Sequence, residues 1–165
     1  LPAGFSIAAV SDRLINRSQQ IKNKGYILDI ETYEKYYPKN QTPYTPSIPH
    51  LFGLKKVLEL IFKEGLENRW NRHKEMSQLT QNWALEMNQS LYAEKKARSY
   101  TVTSINNNMN WDINNINNKL LSKGFRMDRG YGDLKGKVFR IPHMGNIFPQ
   151  DLKEYLNIFK ESIND

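Results

Sequence analysis

The sequence predicts an α+β fold built in two parts, and three observations carry that reading. Between Ile48 and about Lys95 apolar residues recur every three or four positions, the period of helices with one buried face. From Tyr100 onward the order of patterns is strand, helix, strand, strand, helix, which fits a small open sheet covered by helices. Ahead of Ile48 the patterns are shorter and rich in tyrosine. They end in a proline-stiffened polar turn, Asn40-Gln-Thr-Pro-Tyr-Thr-Pro46.

Taken in order, Leu1-Pro-Ala-Gly4 reads as a loop entering a short buried strand, Phe5 to Val10. Ser11-Asp12 can cap a helix from Arg13 to about Lys22, because a short polar side chain accepts a hydrogen bond from the free N–H groups of a first turn. Tyr26 to Tyr37 predicts a short strand and a helical turn, closed by Pro38. Leu51, Leu54, Leu58 and Ile61 then share one helical face, and Gly65 interrupts the pattern. A longer helix from about Glu64 to Lys95 places Leu66, Trp70, His73, Met76, Leu79, Trp83, Met87 and Leu91 on one stripe, long enough to act as a spine between domains. Tyr100 to Ile105 alternates as a strand does. Asp112 to Ser122 is an amphipathic helix with Gly124 as its C-terminal cap. Phe125 to Arg129 and Lys137 to Ile141 predict two further strands across a Gly-Tyr-Gly-Asp turn. A final helix starts near Pro149, since proline is tolerated in a first turn.

The chain has 165 residues, enough for one ordinary domain or a small domain with part of another. It opens without methionine on what reads as the middle of a fold, so the expectation is a piece of a larger protein. Lys and Arg number 24 against 17 Asp and Glu, a net charge of +7. The basic residues stand in small separate clusters beside acids, without interleaved aromatic residues, so a solvated surface is expected and no nucleic acid partner. Without cysteine, disulfides and thiolate metal sites are excluded. No apolar run approaches the roughly 20 residues that cross a bilayer. No membrane is expected, and the expected compartment is the cytoplasm.

Two segments carry the candidate chemistry. The Asn40–Pro46 turn offers hydroxyl, amide and backbone N–H groups just ahead of a helix, a place where anions bind. The plain alternative there is a helix cap made by Thr45 or Ser47. In the second segment, Arg140 lies inside the apolar run Val138-Phe-Arg-Ile141, where a guanidinium needs an anionic partner. That partner is either a substrate carboxylate or a structural Asp such as Asp128 or Asp133. His50, His73 and His143 lack metal-ligand spacing, so no metal is expected; His73 reads as a packed histidine, and His143, just after Arg140, as either structural or near a site, the structural role favoured. There is no nucleophile elbow, phosphate-binding glycine loop or dinucleotide fingerprint, so the chain presents anion-binding groups without a nucleophile or an evident base.

Three runs together resemble the C-terminal half of the class V pyridoxal-phosphate-dependent aminotransferases, nearest to the alanine-glyoxylate and serine-pyruvate group. They are Asn40-Gln-Thr-Pro-Tyr-Thr-Pro-Ser47, Gly65-Leu-Glu-Asn-Arg-Trp-Asn-Arg-His73 and Leu134-Lys-Gly-Lys-Val-Phe-Arg-Ile-Pro-His-Met-Gly145, in the family's order and spanning nearly the whole chain. The resemblance implies a fold-type-I transferase. Residues 1–62 would be a remnant of the cofactor-binding large domain and 63–165 the small α+β domain. It implies pyridoxal 5′-phosphate as cofactor, with Gln41 and Thr42 reaching the cofactor phosphate of the other subunit in a homodimer. Arg140 would bind the substrate α-carboxylate. The implied substrates are a small amino acid, alanine or serine, and a 2-oxo acid, glyoxylate or pyruvate.

In the family the Schiff-base lysine lies just ahead of a Leu-Pro-x-Gly run similar to Leu1-Pro-Ala-Gly4, so the piece alone is expected to be inactive. Two departures bear on substrate choice: Pro142 stands where a glycine is usual, and Pro49-His50 where small or apolar residues are common. The alternatives are another class V enzyme, such as a lyase, or a stand-alone basic interaction domain. The desulfurase branch needs a cysteine that this chain lacks.

Overall fold

The computed structural model describes residues 3–164, so Leu1 and Pro2 of the expected opening loop lie outside it. Contacts divide the chain into two units, one up to Lys63 and one from Glu64 onward.

In the first unit, helix α1 (Asp12–Gln19) starts after Ser11, which takes the cap position. Helix α2 (Ile30–Tyr36) starts at Asp29, whose side chain accepts from Glu31 N (3.2 Å) and from the Thr32 hydroxyl (2.8 Å). Helix α3 (Ile48–Glu64) follows the polar turn. The two strands expected here are absent: residues 5–10 pair with no strand, and Tyr26 to Leu28 form a turn. The physical reason lies in the neighbours. A strand is completed by hydrogen bonds to another strand, and none stands beside either segment among the described residues. Ile7 and Leu28 are accordingly exposed. Ser18 is the one buried residue among residues 3–63, and α3 leaves Phe52 and Phe62 about 70% exposed (70% and 71%).

The second unit has a continuous core. Helix α4 runs Leu66–Glu86, shorter than the helix expected to reach Lys95. Asn88 ends it in the left-handed conformation (φ 57°), with its N–H bonded to Leu85 O and that of Gln89 to Ala84 O, which closes the last turn. The apolar stripe is correspondingly short. Met76 and Trp83 are buried, whereas Leu66 and Trp70 at the start are exposed.

Strand β1 (Val102–Asn106) pairs antiparallel with β2 (Val138–Pro142), placing Ser104 opposite Arg140 and Ile105 opposite Phe139. Isolated bridges extend the pair: Leu91 joins Ile105 of β1, and Asp128 and Lys135 join Arg140 and Val138 of β2. Asp128 is thus the paired residue of the segment expected as a strand from Phe125 to Arg129. The loop that follows leaves the ladder at once.

Between the strands, helix α5 (Ile113–Ser122) is capped by Asp112 and closed by Gly124 (φ 83°). Helix α6 (Pro149–Asn164) completes the unit. Ile105, Phe139 and Ile141 face α4, α5 and α6 from the sheet. Phe159 sits at the centre, 5.0 Å from the Trp83 ring and 5.7 Å from Phe139. Each such burial contributes about 1.5–3 kcal/mol, which is why this face is fixed and the opposite one is free to carry polar groups.

Candidate functional site

Arg140 lies on that opposite face. Alternation along β2 buries Phe139 and Ile141 and turns Arg140 outward, half-buried. Its partner is Asp128, placed directly opposite by the strand pair and by Arg140 N–H donating to Asp128 O (3.0 Å). Arg140 Nε donates to Asp128 Oδ1 at 3.0 Å and Nη2 to Oδ2 at 2.6 Å. Hydrogen bonding from Arg140 holds the Asp128 carboxyl below the usual range, partly opposed by burial, and Asp128 in turn raises Arg140. Both remain charged at any working pH.

Asp128 is itself held. Its Oδ1 accepts from Gly130 N–H at 2.9 Å. Gly130 has φ +85°, and a Cβ there would meet Val138 O at 2.4 Å and Leu134 O at 2.6 Å, so only glycine fits. On the inner side of the same segment, Met127 is buried and its N–H is bonded to Asn117 Oδ1 (3.2 Å).

Gln41 and Thr42 are neighbours on the exposed turn of the first unit, entered by Asn40 in the left-handed conformation (φ 53°). The Thr42 hydroxyl donates to Tyr44 O at 2.6 Å, and the Tyr44 hydroxyl donates to Tyr26 O at 2.6 Å. Ser47, just before α3, takes the cap position, with its carbonyl accepting from Leu51 N (3.1 Å). Its hydroxyl lies 2.7 Å from His50 Nδ1, and His50 Nε2 lies 3.3 Å from Ala3 O.

The other two histidines lie in the second unit. His73 is buried with Nδ1 2.7 Å from Arg69 O. His143, fully buried, lies 2.9 Å from the Thr103 hydroxyl through Nε2, and burial pushes its pKa down. No group of three ligating side chains that could hold a metal occurs among the described residues.

Sequence reasoning missed one polar cluster. Glu64 accepts from Arg72 Nε (2.6 Å) and Nη2 (3.0 Å) and from Arg69 Nη1 (2.9 Å). Both arginines also donate to Gly145 O at 3.2 Å, and Arg72 to Ile147 O. The Phe148 ring covers the Arg72 guanidinium at 4.7 Å. The cluster ties the stretch after β2 to the start of α4. The available signal was Arg72 itself, a charge one turn from Met76 on the buried side of a helix.

No protein-family profile matches the chain. Individual proteins do. An uncharacterized aminotransferase of Methanocaldococcus jannaschii is 36% identical over 147 residues, 87% of this chain and 38% of that protein. The serine–glyoxylate aminotransferase of Arabidopsis thaliana is 32% identical over 153 residues, 89% of this chain and 37% of its own length. A soluble hydrogenase small subunit of Synechococcus sp. is 30% identical over 154 residues, 92% of this chain and 40% of that protein. The crystal structure of an alanine–glyoxylate aminotransferase from Nostoc sp. superposes with a TM-score of 0.81 at 26% identity, covering 92% of this chain and 42% of that one.

Over 87–92% of its length the chain is similar to aminotransferases. Its fold is that of the C-terminal part of these enzymes, and it spans about two-fifths of the length of the curated relatives it matches.

Proposed function

We propose that the protein carrying this chain is a class V, homodimeric aminotransferase dependent on pyridoxal 5′-phosphate. It moves an amino group between a small amino acid, alanine or serine, and a 2-oxo acid, glyoxylate or pyruvate. The similarity to serine– and alanine–glyoxylate aminotransferases supports the substrate class. The observation that carries the reading is Arg140. It is a half-buried guanidinium on the outer face of a core strand, fixed in direction yet still 41% exposed at its side chain.

A planar guanidinium binds a carboxylate through two parallel hydrogen bonds and keeps its charge at any working pH, so it orients amino acid and oxo acid alike. The cofactor, when bound, supplies the electron sink for amino-group transfer. On a turn stiffened by Pro43 and Pro46, Gln41 offers the phosphate an exposed amide, and the Thr42 hydroxyl reaches it by exchanging its hydrogen bond to Tyr44 O for one to the phosphate.

The test uses the full-length polypeptide with its Schiff-base lysine. Arg140→Lys keeps the charge and loses the fork. The Michaelis constants for donor and acceptor should both rise roughly tenfold to a hundredfold, the loss of a hydrogen bond to a charged group, while cofactor content stays unchanged. Thr42→Ala should instead weaken cofactor binding by roughly 1–3 kcal/mol. No transfer from alanine or serine to glyoxylate or pyruvate by the parent protein, or unaltered constants in Arg140→Lys, would refute the proposal.

A further inference from the structure

A guanidinium has five N–H donors arranged along two usable edges: a side edge of Nε and one Nη, and a terminal edge of both Nη atoms. Asp128 takes the side edge of Arg140, accepting one hydrogen from Nε and one from Nη2. Among the described residues Nη1 has no bonded partner, and Nη2 keeps its second hydrogen. The terminal edge is therefore intact, and the side chain is open enough for solvent to reach it.

From this geometry we infer that Asp128 is a positioning residue, which grips the side edge of Arg140 so that the terminal edge is presented to the substrate carboxylate. The inference rests on the reading of Arg140 as the carboxylate-binding group. It makes the ion pair and the substrate site two uses of one arginine rather than rivals for it.

The construction around Asp128 fits that role. An arginine side chain has several rotatable bonds, and ordering them at the moment of binding would weaken it. Here the ordering is done in advance. The strand pair puts Asp128 and Arg140 on one face, and Met127 anchors the segment from the core side. The Gly130 N–H fixes the carboxylate that fixes the guanidinium, and the close approach of Val138 O and Leu134 O leaves no room for another residue at Gly130. Asp128 also cancels part of the positive charge, so the site gains direction at some cost in attraction.

The test is a mutant cycle in the full-length enzyme. Asp128→Ala should raise the Michaelis constants of amino donor and oxo-acid acceptor by about tenfold, with turnover within about twofold and cofactor content unchanged, as for a misdirected binding group. Added to Arg140→Ala, it should cause no further rise, because Asp128 acts only through Arg140. Should Asp128→Ala not fold, Asp128→Asn retains one acceptor oxygen and should give an intermediate rise in the same two constants. Unchanged or lowered Michaelis constants, or a rise of equal size in the Arg140→Ala background, would overturn the inference. If Arg140→Ala itself leaves both constants unchanged, the parent reading falls and this one with it; if it raises them and Asp128→Ala does not, only the positioning role is lost.

Discussion

Removing the Glu64 carboxylate should destabilise the second unit more than any exposed charge could. Glu64 is 20% exposed at its side chain and Arg72 only 8%, and three charge-assisted hydrogen bonds of 2.6, 2.9 and 3.0 Å join Glu64 to Arg72 and Arg69. Breaking one partner of a buried ion pair costs roughly 3–5 kcal/mol because the other charge is stranded. Here the arginines keep the carbonyls of Gly145 and Ile147, and Glu64 is partly hydrated, so the cost of Glu64→Ala falls below that range, to about 2–3 kcal/mol. For a unit of this size that is a drop on the order of 10–15 °C in Tm. The assay is thermal unfolding followed by near-ultraviolet circular dichroism, with buried Trp83 as reporter.

Acid titration tests the same bond. Hydrogen bonding from Arg72, then from Arg69, holds the Glu64 carboxyl below its ordinary value, with burial opposing. A carboxyl depressed in the folded state adds stability above its unfolded pKa, near 4.3, and loses it as pH falls through the folded value. Wild type should therefore shed this stability below about pH 5, and Glu64→Gln should show a shallower acid limb. A Glu64→Ala change under about 0.5 kcal/mol, or identical acid limbs, would refute the assignment.

Three other outcomes are expected. Gly130→Ala forces a Cβ to within 2.4 Å of Val138 O at φ +85° and should cost about 2–4 kcal/mol in denaturant unfolding; a loss below 1 kcal/mol would mean the loop can shift. Burial depresses His143, so the unfolded chain takes the proton first and stability should decline as pH drops below about 6.5; His143→Gln should remove that slope, and an unaltered slope assigns it elsewhere. Because Ser18 is the one buried residue among residues 3–63, limited proteolysis of the chain should cut there before it cuts between Glu64 and Asn164, read by mass spectrometry over time; early cleavage in the later stretch would contradict this.

Helices were readable from the chain because their hydrogen bonds are local and their buried faces repeat every three or four residues. Asp112 and Gly124 bound α5, and Pro149 opens α6, as their side chains and φ preferences require. Arg140 was equally readable, since a lone guanidinium in an apolar run demands an anion wherever it lies. Strands were less so. Phe5 to Val10 has strand composition but no neighbour, and Phe125 to Arg129 retains one paired residue, because pairing depends on what lies alongside rather than on the run itself. The Asn88 turn ended α4 early for a similar reason: left-handed asparagine is permitted in many contexts, and only the return of Leu91 to Ile105 selects it here. Which edge of Arg140 Asp128 takes, and that Arg69 and Arg72 join Glu64 to the backbone of Gly145 and Ile147, rest on contacts between residues up to 76 positions apart, from Arg69 to Gly145. No local pattern encodes such contacts, because the free energy that fixes them comes from packing the core that brings them together.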